Sequence, residues 1–210
     1  VPLPSERLQT IKRLKKEGFS CGIFLLPVIP FITDTPKLME KTIRESYSTG
    51  IDYLIFGGMT LKEGRQKDYF LTILKKHYPE LLPNYEMIYN KDKWGNASSS
   101  YYTAINTTFH SLMSKYPVAK RIPSSLFNKL VSENDLVSII LDQLHHLLLM
   151  KGKKSPYGYA SYSISQLNEN ISDLKHNLQS IKGVGRITEK IILEILETST
   201  SKYYEKQLLH

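Results

Sequence analysis

Two short, near-continuous apolar runs constrain the fold of this chain more than any other feature. They are Cys21-Gly22-Ile23-Phe24-Leu25-Leu26-Pro27-Val28-Ile29-Pro30 and Ile51-Asp52-Tyr53-Leu54-Ile55-Phe56. Their length suits strands, and their unbroken apolar character suits parallel strands covered on both faces. A helix pattern separates them over residues 36–48, with Leu38, Met39, Thr42 and Ile43 inward and a stop near Gly50. Another precedes them over 5–17, opened by Pro4-Ser5 and stopped by Gly18. Helices over 63–77 and 83–89 follow the glycine pair Gly57-Gly58. Helix, strand, helix, strand, helix predicts α/β organisation with crossover units over residues 1–90. Two strands do not make a stable sheet alone. Either the sheet is completed by residues absent here, before Val1, or it is very small. A start at Val rather than Met fits a fragment or a processed product.

Residues 91–124 change character. They are polar and turn-rich around Trp94-Gly95-Asn96 and Ser98-Ser99-Ser100, with a helix over 103–114, and read as a connector. From Ser125 onward every pattern is helical. Short helical character at 126–131 leads into a long apolar helix over 134–150, then one or two helices over 157–180, and a last one over 187–197. Residues 125–210 are thus expected to form an all-α unit of four or five helices.

The formal net charge is +8, but it is unevenly placed. Residues 1–125 carry 18 Lys/Arg against 11 Asp/Glu, and residues 126–210 carry 10 against 9. The helical half is almost neutral, so any grip on a polyanion there must come from placed amides and a few local cations. The single cysteine, Cys21, excludes an internal disulfide and a cysteine-rich metal site within the chain. No secretory leader pattern and no apolar run of membrane-spanning length is visible, so a cytoplasmic protein without a membrane partner is expected.

The most specific motif is Ile181-Lys182-Gly183-Val184-Gly185-Arg186, set between two helix-patterned segments. Two glycines around one small apolar residue permit a tight turn. The turn opens directly into a helix, whose first N–H groups lack intrahelical partners and sit at the positive end of the dipole. That is a phosphate site in outline. Leu178, Ile181, Val184, Ile187, Ile191, Ile192 and Ile195 are expected to form one shared core, leaving Lys182, Arg186, Thr188 and Lys190 beside the amides.

This stretch resembles the helix-hairpin-helix motif, a DNA-binding element without sequence specificity. Residues 134–195 look like the small N-terminal domain of family X DNA polymerases. The likeness runs through Asn134, Ala160-Ser161-Tyr162, Leu167 to Leu174, the hairpin, and Ile192-Leu193-Glu194-Ile195-Leu196-Glu197-Thr198. The resemblance implies DNA contact through Lys182, Gly183, Val184, Gly185, Arg186, Thr188 and Lys190. It also implies a monovalent cation held by the carbonyls of Gln179, Ile181 and Val184. Lys182 departs from the usual proline, and Glu189 from a usual small residue. The lysine that some members use for lyase chemistry falls at Ile191, so no Schiff-base chemistry is expected here.

The first region carries a second resemblance. Ser5-Glu6-Arg7-Leu8, Leu14-Lys15-Lys16-Glu17-Gly18-Phe19, Pro27-Val28-Ile29-Pro30, Asp34, Gly50-Ile51-Asp52-Tyr53 and His77-Tyr78-Pro79-Glu80 look like the later half of a radical S-adenosylmethionine enzyme. The likeness is to the spore photoproduct lyase-like proteins, also called DNA repair photolyases. It implies the last strand-helix units of a partial TIM-type barrel, with Val28, Ile29 and Pro30 passing the adenosyl end of the cofactor. Phe31 departs from the usual glycine, and Lys62 stands where arginine is frequent. The family's 4Fe-4S cluster needs Cys-x3-Cys-x2-Cys, which this chain does not contain. The resemblance therefore implies a C-terminal portion whose partners are DNA and the N-terminal part of the same protein. Cluster, S-adenosylmethionine cleavage and hydrogen abstraction from damaged pyrimidine would all belong to the complete protein.

Two further readings use the same residues: a non-enzymatic DNA-binding adaptor with a degenerate α/β scaffold, and a helical protein-interaction module. His145-His146 reads as a packing or surface pair, since neighbours on a helix point about 100° apart and do not chelate one metal together. Cys21 reads as a small buried residue.

Overall fold

The computed structural model describes residues 2–89 and 92–209. Lys91, the first residue of the expected connector, and Val1 lie outside the described residues. The elements are α1 (Pro4–Lys16), β1 (Gly22–Val28), α2 (Pro36–Tyr47), β2 (Tyr53–Gly58), α3 (Arg65–His77), α4 (Leu82–Tyr89), α5 (Ser99–Met113), α6 (Glu133–Met150), α7 (Tyr157–Ser165), α8 (Arg186–Thr198) and α9 (Lys202–Leu209). The protein is mostly helical, with one small sheet. An α/β portion precedes a helical one.

β1 and β2 pair in parallel, with Gly22 opposite Tyr53 and Leu25 opposite Phe56, and the register slips between Leu25 and Val28. The far edge of β2 is partly covered: Leu54 N–H donates to the Ala119 carbonyl at 2.8 Å. The far edge of β1 has no strand neighbour among the described residues. The expectation that both strands are covered on both faces is corrected for β1. Phe24 is 56% and Leu26 50% exposed, on one face by the two-residue period of a strand. Among the described residues α2 and α5 cover the opposite side, where Val28, Met39, Ile43, Leu54, Phe109 and Met113 form the core.

α5 differs from what its polar surroundings suggest. Ser98 caps it, accepting from Tyr101 N–H. Ile105, Phe109, Leu112 and Met113 then fall on one face and are buried against α2 and the sheet. Phe56 and Phe109 stack with ring centroids 4.4 Å apart. The stretch read as a connector therefore supplies a core helix.

In the helical portion, α6 is the central beam. Ser132 caps it, its hydroxyl accepting from Asp135 N–H at 3.2 Å. Eight of its residues are buried, among them Ile140, Leu141, Leu144 and Leu147. Around it pack α7, α8, α9 and two 3-10 turns, Ile171–Leu174 and Leu178–Ser180. Helices were expected across 157–180, but only Tyr157–Ser165 is α-helical. The turns that follow use side chains instead: Asn134 Oδ1 accepts from Ile171 N–H at 2.8 Å, and Asn134 Nδ2 donates to the Glu169 carbonyl at 2.9 Å. Residues 126–131 likewise contain the end of a 3-10 turn, Ser124–Leu126, rather than an α-helix. α9 lies beyond every expected helix. It is held by Tyr204, fully buried, whose hydroxyl donates to Gln143 Oε1 at 2.7 Å. No helix of the described residues is long and apolar enough to cross a membrane.

Candidate functional site

The hairpin is built from two glycines with opposite jobs. Gly183 has φ +89°, a region that disfavours side chains, and a Cβ there would lie 2.9 Å from the Ala160 backbone nitrogen. It seats the turn against α7. Gly185 has open space around it and an extended backbone, φ −102°, and forms the N-cap of α8 without a side-chain cap. Val184 N–H closes the turn onto the Ile181 carbonyl at 3.0 Å, and Glu189 N–H donates to the Gly185 carbonyl at 2.9 Å. The first turn of α8 thus starts uncapped behind a residue with no side chain, and a phosphate oxygen can approach it.

Lys182, Gly183, Gly185, Arg186 and Lys190 are exposed, and Val184 is buried with Ile181 beneath the turn. Among the described residues no ion pair engages Lys182, Arg186 or Lys190. The Lys182 ammonium lies 5.2 Å from the Tyr159 ring centroid, and its pKa is raised by the Tyr159 hydroxyl beside it. Two assignments exchange places. Thr188 is only 2% exposed and Ile187 is 70% exposed. The core register of α8 runs through Thr188, Ile191, Ile192 and Ile195, so the Thr188 side chain is turned inward and only its backbone N–H faces the opening turn. Ile187, expected in the core, instead stands on the surface; Tyr159 and Tyr162 of α7 are exposed as well. One residue of phase, about 100°, decides this, and spacing alone does not resolve neighbouring positions when both are apolar or small.

Glu189, the departure from a small residue, has a structural partner. Its Oε2 accepts from Gln179 Nε2 at 2.6 Å, tying the start of the turn to the helix after it. Of the carbonyls implied for a monovalent cation, that of Ile181 already accepts the Val184 N–H.

The second candidate region lies at the carboxyl ends of β1 and β2, where parallel α/β sheets place their ligand sites. Val28 and Pro30 are buried and Ile29 is half-buried. Their polar groups are engaged internally. Ile29 N–H donates to Thr33 Oγ1 at 2.7 Å, and the Pro30 carbonyl accepts the Tyr85 hydroxyl at 2.6 Å. The segment therefore offers a nucleoside an apolar surface more than free hydrogen bonds. Phe31 sits at φ +62°, held by edge contacts to Tyr85 and Tyr101. The Tyr101 hydroxyl donates to Asp34 Oδ2 at 3.0 Å, and its pKa is raised well above the ordinary phenol value by burial and then by the Asp34 charge. An open cleft of about 860 Å³ begins at Phe31 and runs past Asn96 and Ser98.

The residues present do not fit an iron-sulfur cluster. Cys21 is the only cysteine, half-buried ahead of β1, and no group of His, Cys, Asp or Glu among the described residues is arranged to hold a metal ion. His145 packs its ring against Gly158 of α7, where an added Cβ would sit 3.0 Å away.

The chain is similar to an uncharacterized protein of Mycobacterium tuberculosis (strain ATCC 25618 / H37Rv) and to one of Mycobacterium bovis, each 25% identical over 118 residues. The match takes in 56% of this chain and 34% of each relative, so it spans about a third of their length. No protein-family profile matches the chain, and no solved structure matches it.

Proposed function

We propose that this chain is the C-terminal portion of a radical S-adenosylmethionine protein of the spore photoproduct lyase-like kind, and that its helical unit grips the DNA backbone. The observation that carries the DNA reading is the Gly183–Gly185 turn. It pairs an uncapped helix start with three exposed cations, Lys182, Arg186 and Lys190, none in an ion pair among the described residues. Phosphate recognition through backbone amides carries no base information, so binding is sequence-independent.

Two observations support the barrel reading. The outer edge of β1 and its apolar face, Phe24 and Leu26, are uncovered, as for a sheet whose preceding strands lie elsewhere in the protein. Phe31 adopts a left-handed backbone, φ +62°, a conformation that glycine takes most readily, where the resemblance expects glycine. The cluster chemistry falls outside this chain, whose own contribution is to hold DNA and to close one side of the barrel.

The test is an anisotropy titration with duplex and gapped DNA at several salt concentrations. Gly185→Glu places a carboxylate in the phosphate approach without a clash, since nothing lies within 4 Å of its Cβ. A tenfold or greater loss of affinity is expected, at about 1.4 kcal/mol per tenfold, with a shallow salt slope. Wild-type affinity in this variant would sink the hairpin reading. The reading frame upstream of Val1 should encode the three-cysteine motif; a frame without it removes the radical enzyme and leaves the DNA grip standing.

A further inference from the structure

Trp94 is the only tryptophan in the chain, and it is held outside the fold rather than inside it, at 59% exposure. The loop that carries it is firmly built. Asp92 accepts from Trp94 N–H at 2.9 Å and from Asn96 N–H at 3.2 Å. Leu61 N–H donates to the Gly95 carbonyl at 2.7 Å, and Ser98 N–H to the Ile88 carbonyl at 2.8 Å. Gly95 has φ +74°, and a Cβ there would lie 2.1 Å from the Lys62 backbone nitrogen, so the loop is locked against the segment that follows β2. The backbone that carries the ring is thereby fixed while the ring's surface remains open.

Two cations attend it. Lys62 Nζ lies 5.0 Å and Lys93 Nζ 5.2 Å from the ring centroid. Among the described residues neither lysine is in an ion pair. Glu63, next in sequence, is taken by Lys67. Lys62 leaves the carboxyl end of β2, and the 860 Å³ cleft adjoins the loop through Asp92 and Asn96. This half of the chain also carries nearly all of the excess positive charge. An exposed indole on a fixed backbone, between two ammoniums that form no ion pair among the described residues, matches an unstacked nucleotide: a base has a π-face for the ring, and its flanking phosphates carry negative charge for the lysines.

We propose that Trp94, with Lys62 and Lys93, is a stacking platform for an unpaired nucleotide of single-stranded DNA, separate from the hairpin. The choice of DNA rests on the function proposed above, whereas the platform rests on the loop itself. Because Trp94 is the sole tryptophan, its intrinsic fluorescence reports the contact directly. The full chain should be titrated with a short oligodeoxythymidylate and, in parallel, with inorganic polyphosphate, which has the charge but no base. Saturable quenching by the oligonucleotide and none by polyphosphate is expected. Trp94→Ala should weaken oligonucleotide binding roughly five- to hundredfold with an unchanged melting temperature. Lys62→Gln should lower the salt slope by about one. Gly185→Glu should lose duplex affinity and keep the quench, which separates this site from the hairpin. No quench, equal quench by polyphosphate, wild-type affinity in Trp94→Ala, or loss of the quench in Gly185→Glu would each overturn the platform.

Discussion

α1 and α6 show how differently the two portions of this molecule are finished. Both are amphipathic by pattern, yet α6 buries eight residues and α1 buries none. α1 is fastened by polar contacts instead. Lys15 Nζ pairs with Asp52 at 2.7 Å, and Asp52 also accepts the Cys21 N–H at 2.7 Å. The sheet beside it leaves Phe24 and Leu26 open; the helical portion also exposes apolar side chains, Leu149, Tyr159, Tyr162 and Ile187, but its central beam is buried along eight residues. An apolar pattern thus states what a segment is able to bury, and the neighbours present decide what it does bury. The helical portion closes a core around one beam; the α/β portion leaves one face of β1 open.

The largest expected effect tests that closure. Leu144→Ala empties a fully buried position and should cost about 3–5 kcal/mol in denaturant unfolding. A loss under about 1 kcal/mol would mean the helical core is looser than its burial implies. Gly183→Val should cost about 2–4 kcal/mol, combining a positive φ with a Cβ 2.9 Å from Ala160. Gly185→Ala, two residues away, should cost no more than about 1 kcal/mol. Equal effects at the two glycines would remove the distinction between seat and opening.

The two portions meet at a cationic seam. His110 of α5 has both ring nitrogens buried without partners, and its pKa is lowered to about 4 by burial and then by the charges of Lys120, Lys151 and His146. His146 of α6 is also lowered to about 4, by burial and then Arg121, with Asp142 opposing and His145 adding to it. Between pH 6.5 and 4 the unfolded chain binds these protons and the folded chain does not, so stability falls as pH drops through that window. Discounted for partial solvent access, each histidine is worth ~1 kcal/mol. A melting-temperature series should slope downward there and flatten in the His110→Gln/His146→Gln double variant. An unchanged slope would place the acid sensitivity elsewhere.

Smaller still, Tyr204→Phe should cost about 1 kcal/mol, because it strands Gln143 Oε1 at the base of α9. Phe24→Ser should change stability by no more than about 1 kcal/mol, since the ring is half exposed and keeps only an edge contact to Tyr53 at 6.2 Å. A cost near that of Leu144→Ala would break the contrast between closed and open portions.

Much of this was legible in the sequence. The strands, α1 to α4, α6 and α8 follow from run length, period and punctuation, and the hairpin follows from two glycines and a helix start. α5 was partly hidden, because serine, threonine and asparagine fill its outer face and mask Ile105, Phe109 and Met113. α9 was hidden because one buried tyrosine anchors a short polar helix. Trp94 left a faint signal, a lone indole just after Lys91 and Lys93 in a turn-rich stretch, and turn chemistry was the more obvious use of that loop.

The sequence by itself determined the change from strand-helix alternation to helices and the place of the two-glycine turn ahead of a helix start. Periodicity and glycine conformation are local properties, set by the order of residues. Only the tertiary structure decided that Thr188 turns inward and Ile187 outward, that β1 keeps an uncovered face, and that Trp94 is fixed beside Lys62. Each of those depends on contacts between residues distant in the chain. Gly183 against Ala160 sets the position of the turn ahead of α8, α2 and α5 choose one face of the sheet, and Gly95 against Lys62 locks the loop.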